Sequence, residues 1–160
     1  EALGYLVNPD TVRDKDGISA AVALLGLVGD ARARGTDLRG LLDELRERIG
    51  AYDSDQISVR VTDLSEIGTI MASLRATPPT SIGDTDVERI DDLLEGVDDL
   101  PPGDVLRIHI DGGSRLIVRP SGTEPKLKLY LDVRASSEKK AAKRLAALRA
   151  GAEALLADIR

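Results

Sequence analysis

From Leu106 to Val133, apolar residues fall on every second position of three segments: Leu106, Ile108 and Ile110; Leu116 and Val118; and Leu127, Leu129, Leu131 and Val133. The positions between them carry Arg107 and His109 in the first segment, and Lys126, Lys128, Tyr130, Asp132 and Arg134 around the last. Successive side chains of a strand point to opposite faces, so this pattern demands strands with one dry face and one wet face. A sheet with one wet face is an antiparallel sheet, because parallel sheets are covered on both sides. Asp111-Gly112-Gly113-Ser114 supplies a tight turn between the first two segments, the strongest hairpin signal in the chain. Ile57, Val59 and Val61, alternating with Ser58, Arg60 and Thr62, predict a further strand.

Elsewhere the period is helical. Ile18 to Val28 is mostly apolar and follows Asp14-Lys15-Asp16-Gly17, which predicts a buried helix with acids in its first turn. After Gly35, Thr36 is the expected cap of a helix whose Leu38, Leu41, Leu42, Leu45 and Ile49 form one stripe. Gly50 ends it, and 51–55 reads as a linker. A helix from Leu64 to Leu74 stops before Pro78-Pro79, a short strand is expected near Val87 to Ile90, and Ser136 or Ser137 caps a last helix lined by Leu145, Leu148, Ala152, Leu155, Leu156 and Ile159. The order is helical segment, then β-α-β-β-β-β-α. The expected fold is therefore α+β: a mainly antiparallel sheet with two helices on one face, preceded by a helical segment. The expected domains are 1–53 and 54–160, with Arg60, Arg107, Lys128 and Tyr130 on the uncovered face.

The core has to be built from Leu, Ile, Val and Ala, since Phe, Trp and Cys are absent and Tyr occurs three times. Without Cys, and with His109 as the one histidine, disulfides, thiolate nucleophiles, Cys-based zinc sites and His clusters are excluded. His109 itself reads as a strand residue rather than a catalytic base. No apolar run reaches the ~20 residues of a membrane helix, and the N-terminus has no signal-peptide layout, so the expectation is a cytoplasmic protein with no membrane partner. The first residues, Glu1-Ala2-Leu3-Gly4-Tyr5, contain no Met and suggest a fragment. Charge is unevenly spread: residues 1–103 hold 10 basic against 21 acidic side chains, while 104–160 hold 12 against 7. The C-terminal third is thus the anion-attracting part. Single-strand nucleic acid requires aromatic stacking platforms, and this part has only Tyr130, so a small phosphorylated ligand fits better than nucleic acid.

The segment Arg119-Pro120-Ser121-Gly122-Thr123-Glu124-Pro125-Lys126 joins two of the strands and holds what a phosphate needs. Arg119 offers a planar fork of donors, Ser121 and Thr123 offer hydroxyls, and backbone N–H groups of a Ser-Gly-Thr turn can form an anion nest. Gly122 removes a Cβ from the approach, Pro120 and Pro125 stiffen the loop, and Lys126 adds charge. Glu124 would repel phosphate unless it pairs with Arg119, Arg115 or Lys126. The same residues also make an ordinary turn between solvated strand ends.

This segment resembles the phosphate-binding loop in the C-terminal domain of the α-D-phosphohexomutases, the phosphoglucomutase and phosphomannomutase family. Glu1-Ala2-Leu3-Gly4-Tyr5 is similar to the tail of that family's sugar-binding loop, and Arg13-Asp14-Lys15-Asp16-Gly17-Ile18 to the stretch after it. The resemblance implies the end of a third domain plus the fourth of a four-domain enzyme. The complete enzyme would move a phosphoryl group between the ends of a hexose phosphate, or of a pentose phosphate, through a bisphosphorylated sugar that reorients. The phosphoserine loop and the Asp-x-Asp-x-Asp magnesium loop belong to the earlier domains. Here Asp14-x-Asp16, Asp53-x-Asp55 and Asp84-x-Asp86 each lack a third alternating Asp, so the expectation is no metal site and an inactive isolated chain, with Mg2+ and a bisphosphorylated sugar activator used only by the whole enzyme. The residues implied to hold the phosphate, or a sulfate in its place, are Arg119, Ser121, Gly122, Thr123 and Lys126. Glu1 and Lys15 are implied to face substrate, although Lys15 equally reads as a solvated charge on a helix's first turn. The expected partners are a phosphosugar and the missing N-terminal domains. The alternative is a free-standing, non-catalytic phosphosugar-binding or interaction module.

Overall fold

The strand spanning Lys126–Ala135 alternates without interruption, and the rest of its domain is arranged around it. In the computed structural model, which describes residues 6–14 and 16–159, the chain separates into two compact units, one up to Ile49 and one from Gly50 onward.

The first unit holds α1 (Gly17–Ala33) and α2 (Leu38–Ile49). Asp16 caps α1 by accepting from the backbone N–H groups of Ile18 and Ser19, so the expected acids precede the first turn rather than occupy it. Asp37, not Thr36, caps α2, because its carboxylate accepts from Gly40 N–H at 2.8 Å. The expectation of a buried first helix is corrected. Only Ala31 of α1 is buried, and Ile18 is 79% exposed. Burial needs a covering surface, and among the described residues of this unit the helix packed against α1 is α2.

The second unit contains β1 (Ala51–Arg60), α3 (Leu64–Ala76), β2 (Ser81–Ile82), β3 (Thr85–Asp92), β4 (Leu106–Ile110), β5 (Ser114–Pro120), β6 (Lys126–Ala135) and α4 (Glu138–Ile159), with a 3-10 turn at Leu93–Glu95. The strands form one antiparallel sheet in the order β1-β6-β5-β4-β3-β2. The expected fold class holds, with one short strand more than the alternation revealed. The predicted linker 51–55 is in fact the first half of β1, its backbone paired with β6 from Ala51↔Ala135 onward. Its polar side chains hid it: Asp55 faces α4 and binds Arg149, so an acid occupies a position where alternation would put an apolar residue.

Leu106, Ile108, Ile110, Leu116, Val118, Leu127, Leu129, Leu131 and Val133 form the dry face. Ile67, Ile70, Met71 and Leu74 of α3 and Ala141, Leu148, Ala152 and Leu156 of α4 complete one core with them. Asp63 caps α3 through Ser65 N–H, and Ser137 caps α4 through Lys140 N–H. The β4–β5 turn requires glycine: Gly112 and Gly113 both sit at φ 77, a region other L-residues avoid. At the far edge, α4 approaches the β2–β3 turn so closely that a Cβ on Gly151 would lie 2.6 Å from the Gly83 nitrogen.

Gly151→Ala should therefore destabilise the fold by about 1–3 kcal/mol, the usual cost of overpacking. Gly68→Ala in α3, where a Cβ meets nothing within 4 Å, should be neutral or stabilising by about 0.5–1 kcal/mol. Urea unfolding of the two variants beside the wild type measures the contrast.

Candidate functional site

The loop between β5 and β6 is held shut by its own backbone. Ser121 N–H donates to the Lys126 carbonyl at 2.8 Å, Lys126 N–H donates to the Glu124 carbonyl at 2.7 Å, and Val61 N–H donates to the Pro125 carbonyl at 3.1 Å. The Ser121 N–H is thus already used internally. Among the described residues, the donors the loop has left are the Ser121 and Thr123 hydroxyls and the N–H groups of Gly122, Thr123 and Glu124. Ser121 is half-buried, and 122–125 are exposed. Gly122 does not take a positive φ, and a Cβ there would meet nothing within 4 Å. Its lack of a side chain keeps the loop surface open rather than serving the turn.

Strand register then sets the charges. On the wet face, Arg60 of β1 stands opposite Lys126 of β6, and Lys128 of β6 stands opposite Arg119 of β5. Cross-strand neighbours of like charge destabilise a sheet, yet two such pairs occur side by side at the loop's end. Glu124 offsets the first pair. Its Oε1 lies 2.7 Å from Lys126 Nζ and 3.9 Å from Arg60 Nη2. The hydrogen bond from Lys126 holds the Glu124 carboxyl below the usual carboxylate range. Of the partners weighed for Glu124 from sequence, Lys126 is paired with it, while Arg115 is held by Asp132 at 2.6 Å. Arg60, like Lys128, is a residue that sequence reasoning left out of the site. Its only signal was its place on the wet face of a strand, since the register that sets it beside Lys126 is a long-range property.

Farther from the loop the wet face carries a second group of ion pairs. Arg107 and His109 converge on Asp91 at 2.8 and 2.9 Å, and Arg89 reaches the same carboxylate at 2.9 Å. Burial pushes the Asp91 carboxyl up, but hydrogen bonds from Arg107, His109 and Arg89 outweigh it and lower the pKa to about 2. His109 is thus a member of an ion cluster. A concavity of about 560 Å³ lies at the other end of the sheet, lined by Tyr52, Ser54, Glu88, His109, Arg115 and Asp132. It contains none of the loop residues, and its lining carries charges of both signs, with Arg115 bound to Asp132. Among the described residues no three His, Cys, Asp or Glu groups converge as a metal donor set. Glu1 and Lys15 lie outside the described residues.

The fold class is an antiparallel α+β domain with two helices on one face and a cation-flanked Ser-Gly-Thr loop at the end of two adjacent strands. Residues 57–151 match the family model described as phosphoglucomutase/phosphomannomutase, C-terminal domain, and the chain belongs to that family. It is 47% identical over 156 residues to a probable phosphomannomutase of Haemophilus influenzae, covering 98% of this chain and 32% of that protein. It is 30% identical to a phosphoglucomutase of Staphylococcus aureus, covering 84% of this chain and 26% of that protein. A solved open-form structure of the Paramecium phosphoprotein pp63/parafusin, a phosphoglucomutase, shares the fold with a TM-score of 0.66 at 20% identity, over 94% of this chain and 28% of that one. The chain thus spans about a third or less of the length of these relatives.

Asp91 gives the wet face a pH signature. Its folded pKa is lowered, so its contribution is complete above the ordinary value of 3.8 and disappears as pH falls through about 2. Asp91→Asn should cost about 1–2 kcal/mol at neutral pH, and that difference should close between pH 4 and 2. Urea midpoints of wild type and variant across this range check it.

Proposed function

We propose that this chain is the phosphate-gripping C-terminal portion of a phosphosugar mutase, and that Arg119, Ser121, Gly122, Thr123 and Lys126 hold the phosphate that is not being transferred. The observation that carries the reading is the pair of like-charged cross-strand neighbours, Arg60–Lys126 and Lys128–Arg119, flanking the loop. A doubly charged phosphate seated between them would relieve the repulsion within these pairs. Arg119 supplies a bidentate fork, the two hydroxyls and the exposed N–H groups supply neutral donors, and the open Gly122 position lets the phosphate come close.

In an enzyme that turns a bisphosphorylated sugar around between two half-reactions, such a grip has a definite task. Binding energy at the remote phosphate positions the other end of the sugar at the reacting centre. The phosphoserine and the magnesium ion expected from the resemblance, together with the bisphosphorylated activator, act in the preceding domains of the parent protein. A phosphohexose is the substrate class this reading favours. Glu1 and Lys15 stay within it as substrate-facing residues on the strength of the resemblance alone. No described helix is long and apolar enough to cross a membrane. A cytoplasmic setting is part of the same proposal, resting on the cysteine-free sequence.

A loop with three or four donors open to water should bind inorganic phosphate in the millimolar range, about 4 kcal/mol. In an NMR titration, the Gly122 and Thr123 amides should move in a saturable way. Arg119→Ala should weaken the binding roughly tenfold or more, as loss of a charged bidentate contact requires. Loop amides that stay still at tens of millimolar phosphate, or an Arg119→Ala variant that binds as the wild type does, would contradict the reading. In the parent enzyme the same substitution should raise KM for the sugar phosphate, lower kcat, or both.

A further inference from the structure

We propose that Glu124 is an internal counter-ion of the phosphate grip: it occupies the Lys126 ammonium in the ligand-free loop, competes with phosphate for it, and so sets how firmly the loop holds and how readily it releases. This rests on the reading of the loop as a phosphate site. The Lys126 side chain is only 15% exposed, so its ammonium depends on a protein or ligand anion more than a fully solvated lysine does. Glu124 is that anion at 2.7 Å. Its own side chain is 44% exposed and can swing into water at little cost. Partner exchange at Lys126 is therefore easier for the carboxylate than for the ammonium.

The loop does not need this carboxylate for its shape. The turn is closed by the backbone bonds from Ser121 N–H to Lys126 and from Lys126 N–H to Glu124, which a change of side chain leaves in place. An ammonium has three donors and could touch carboxylate and phosphate together. The two anions would then repel each other across a few ångströms, so Glu124 opposes the ligand whether it stays or leaves. Repulsion of this size in a solvated site corresponds to roughly a three- to tenfold change in affinity. A weaker grip suits a ligand that must detach, turn and seat its other phosphate, because a deeper ground state would be a barrier to turning. Glu124 is a positioning residue in this account, since it acts through Lys126.

Binding of inorganic phosphate to the full chain, followed at the Gly122 and Thr123 amides, tests the proposal. Glu124→Gln should bind three- to tenfold more tightly than wild type, Glu124→Asp should stay near wild type, and the gain should disappear when Lys126→Gln is added to Glu124→Gln. A purely structural role would instead weaken binding. If Glu124→Gln binds no better than wild type, or if its gain survives without Lys126, the counter-ion role is wrong while the phosphate site stands. If the wild-type amides never move, the phosphate reading fails and takes this inference with it. Glu124→Ala, judged by the same outcomes, replaces the glutamine variant should its circular dichroism show loss of fold.

Discussion

Strand β6 pairs along its whole length with β1 on one side and from Leu127 to Asp132 with β5 on the other, and its ten residues alternate strictly between the two faces of the sheet. Leu127, Leu129, Leu131 and Val133 point into the core, where each is almost wholly excluded from water. Lys126, Lys128, Tyr130, Asp132 and Arg134 necessarily point the other way. A slip of one residue would bury the charges and expose the leucines, so hydrophobic burial locks the register. The same lock places Lys126 beside Arg60 and Lys128 beside Arg119. The electrostatics of the loop are thus a by-product of how the core packs.

Across the wet face, charged side chains meet in rows set by the register. Toward the β4–β5 turn, Arg115 has Asp132; in the middle, Arg107, His109 and Arg89 share Asp91. Toward the loop, Glu124 lies beside Lys126 and Arg60, with Lys128 and Arg119 paired across the next strand boundary. Those two like-charged cross-strand pairs distinguish this end of the domain from the mixed-charge concavity at the other.

The apolar helix α1 shows where local pattern stops being informative. Its residues read as buried, and in many chains they would be, but Ile18, Val22 and Leu25 are largely exposed in a unit made of two helices. Composition states a preference for burial; only a neighbouring surface can satisfy it. The segment 51–55 errs in the opposite direction. Its acids read as a linker, yet the backbone pairs with β6 because hydrogen bonds of the ladder do not depend on side-chain polarity.

Much of the domain was legible in the order of its residues. Period-two alternation, the Gly112-Gly113 turn, the helix stripes and the donor-rich segment from Arg119 to Lys126 are all properties of consecutive residues, and local sterics and burial act on consecutive residues directly. What the tertiary structure alone decided is which distant residues became neighbours: Arg60 with Glu124 and Lys126, Asp91 beneath Arg107 and His109, Arg149 with Asp55. Those meetings depend on strand order and register across the whole sheet. They follow from the free energy of closing one common core, which no stretch of neighbouring residues encodes by itself.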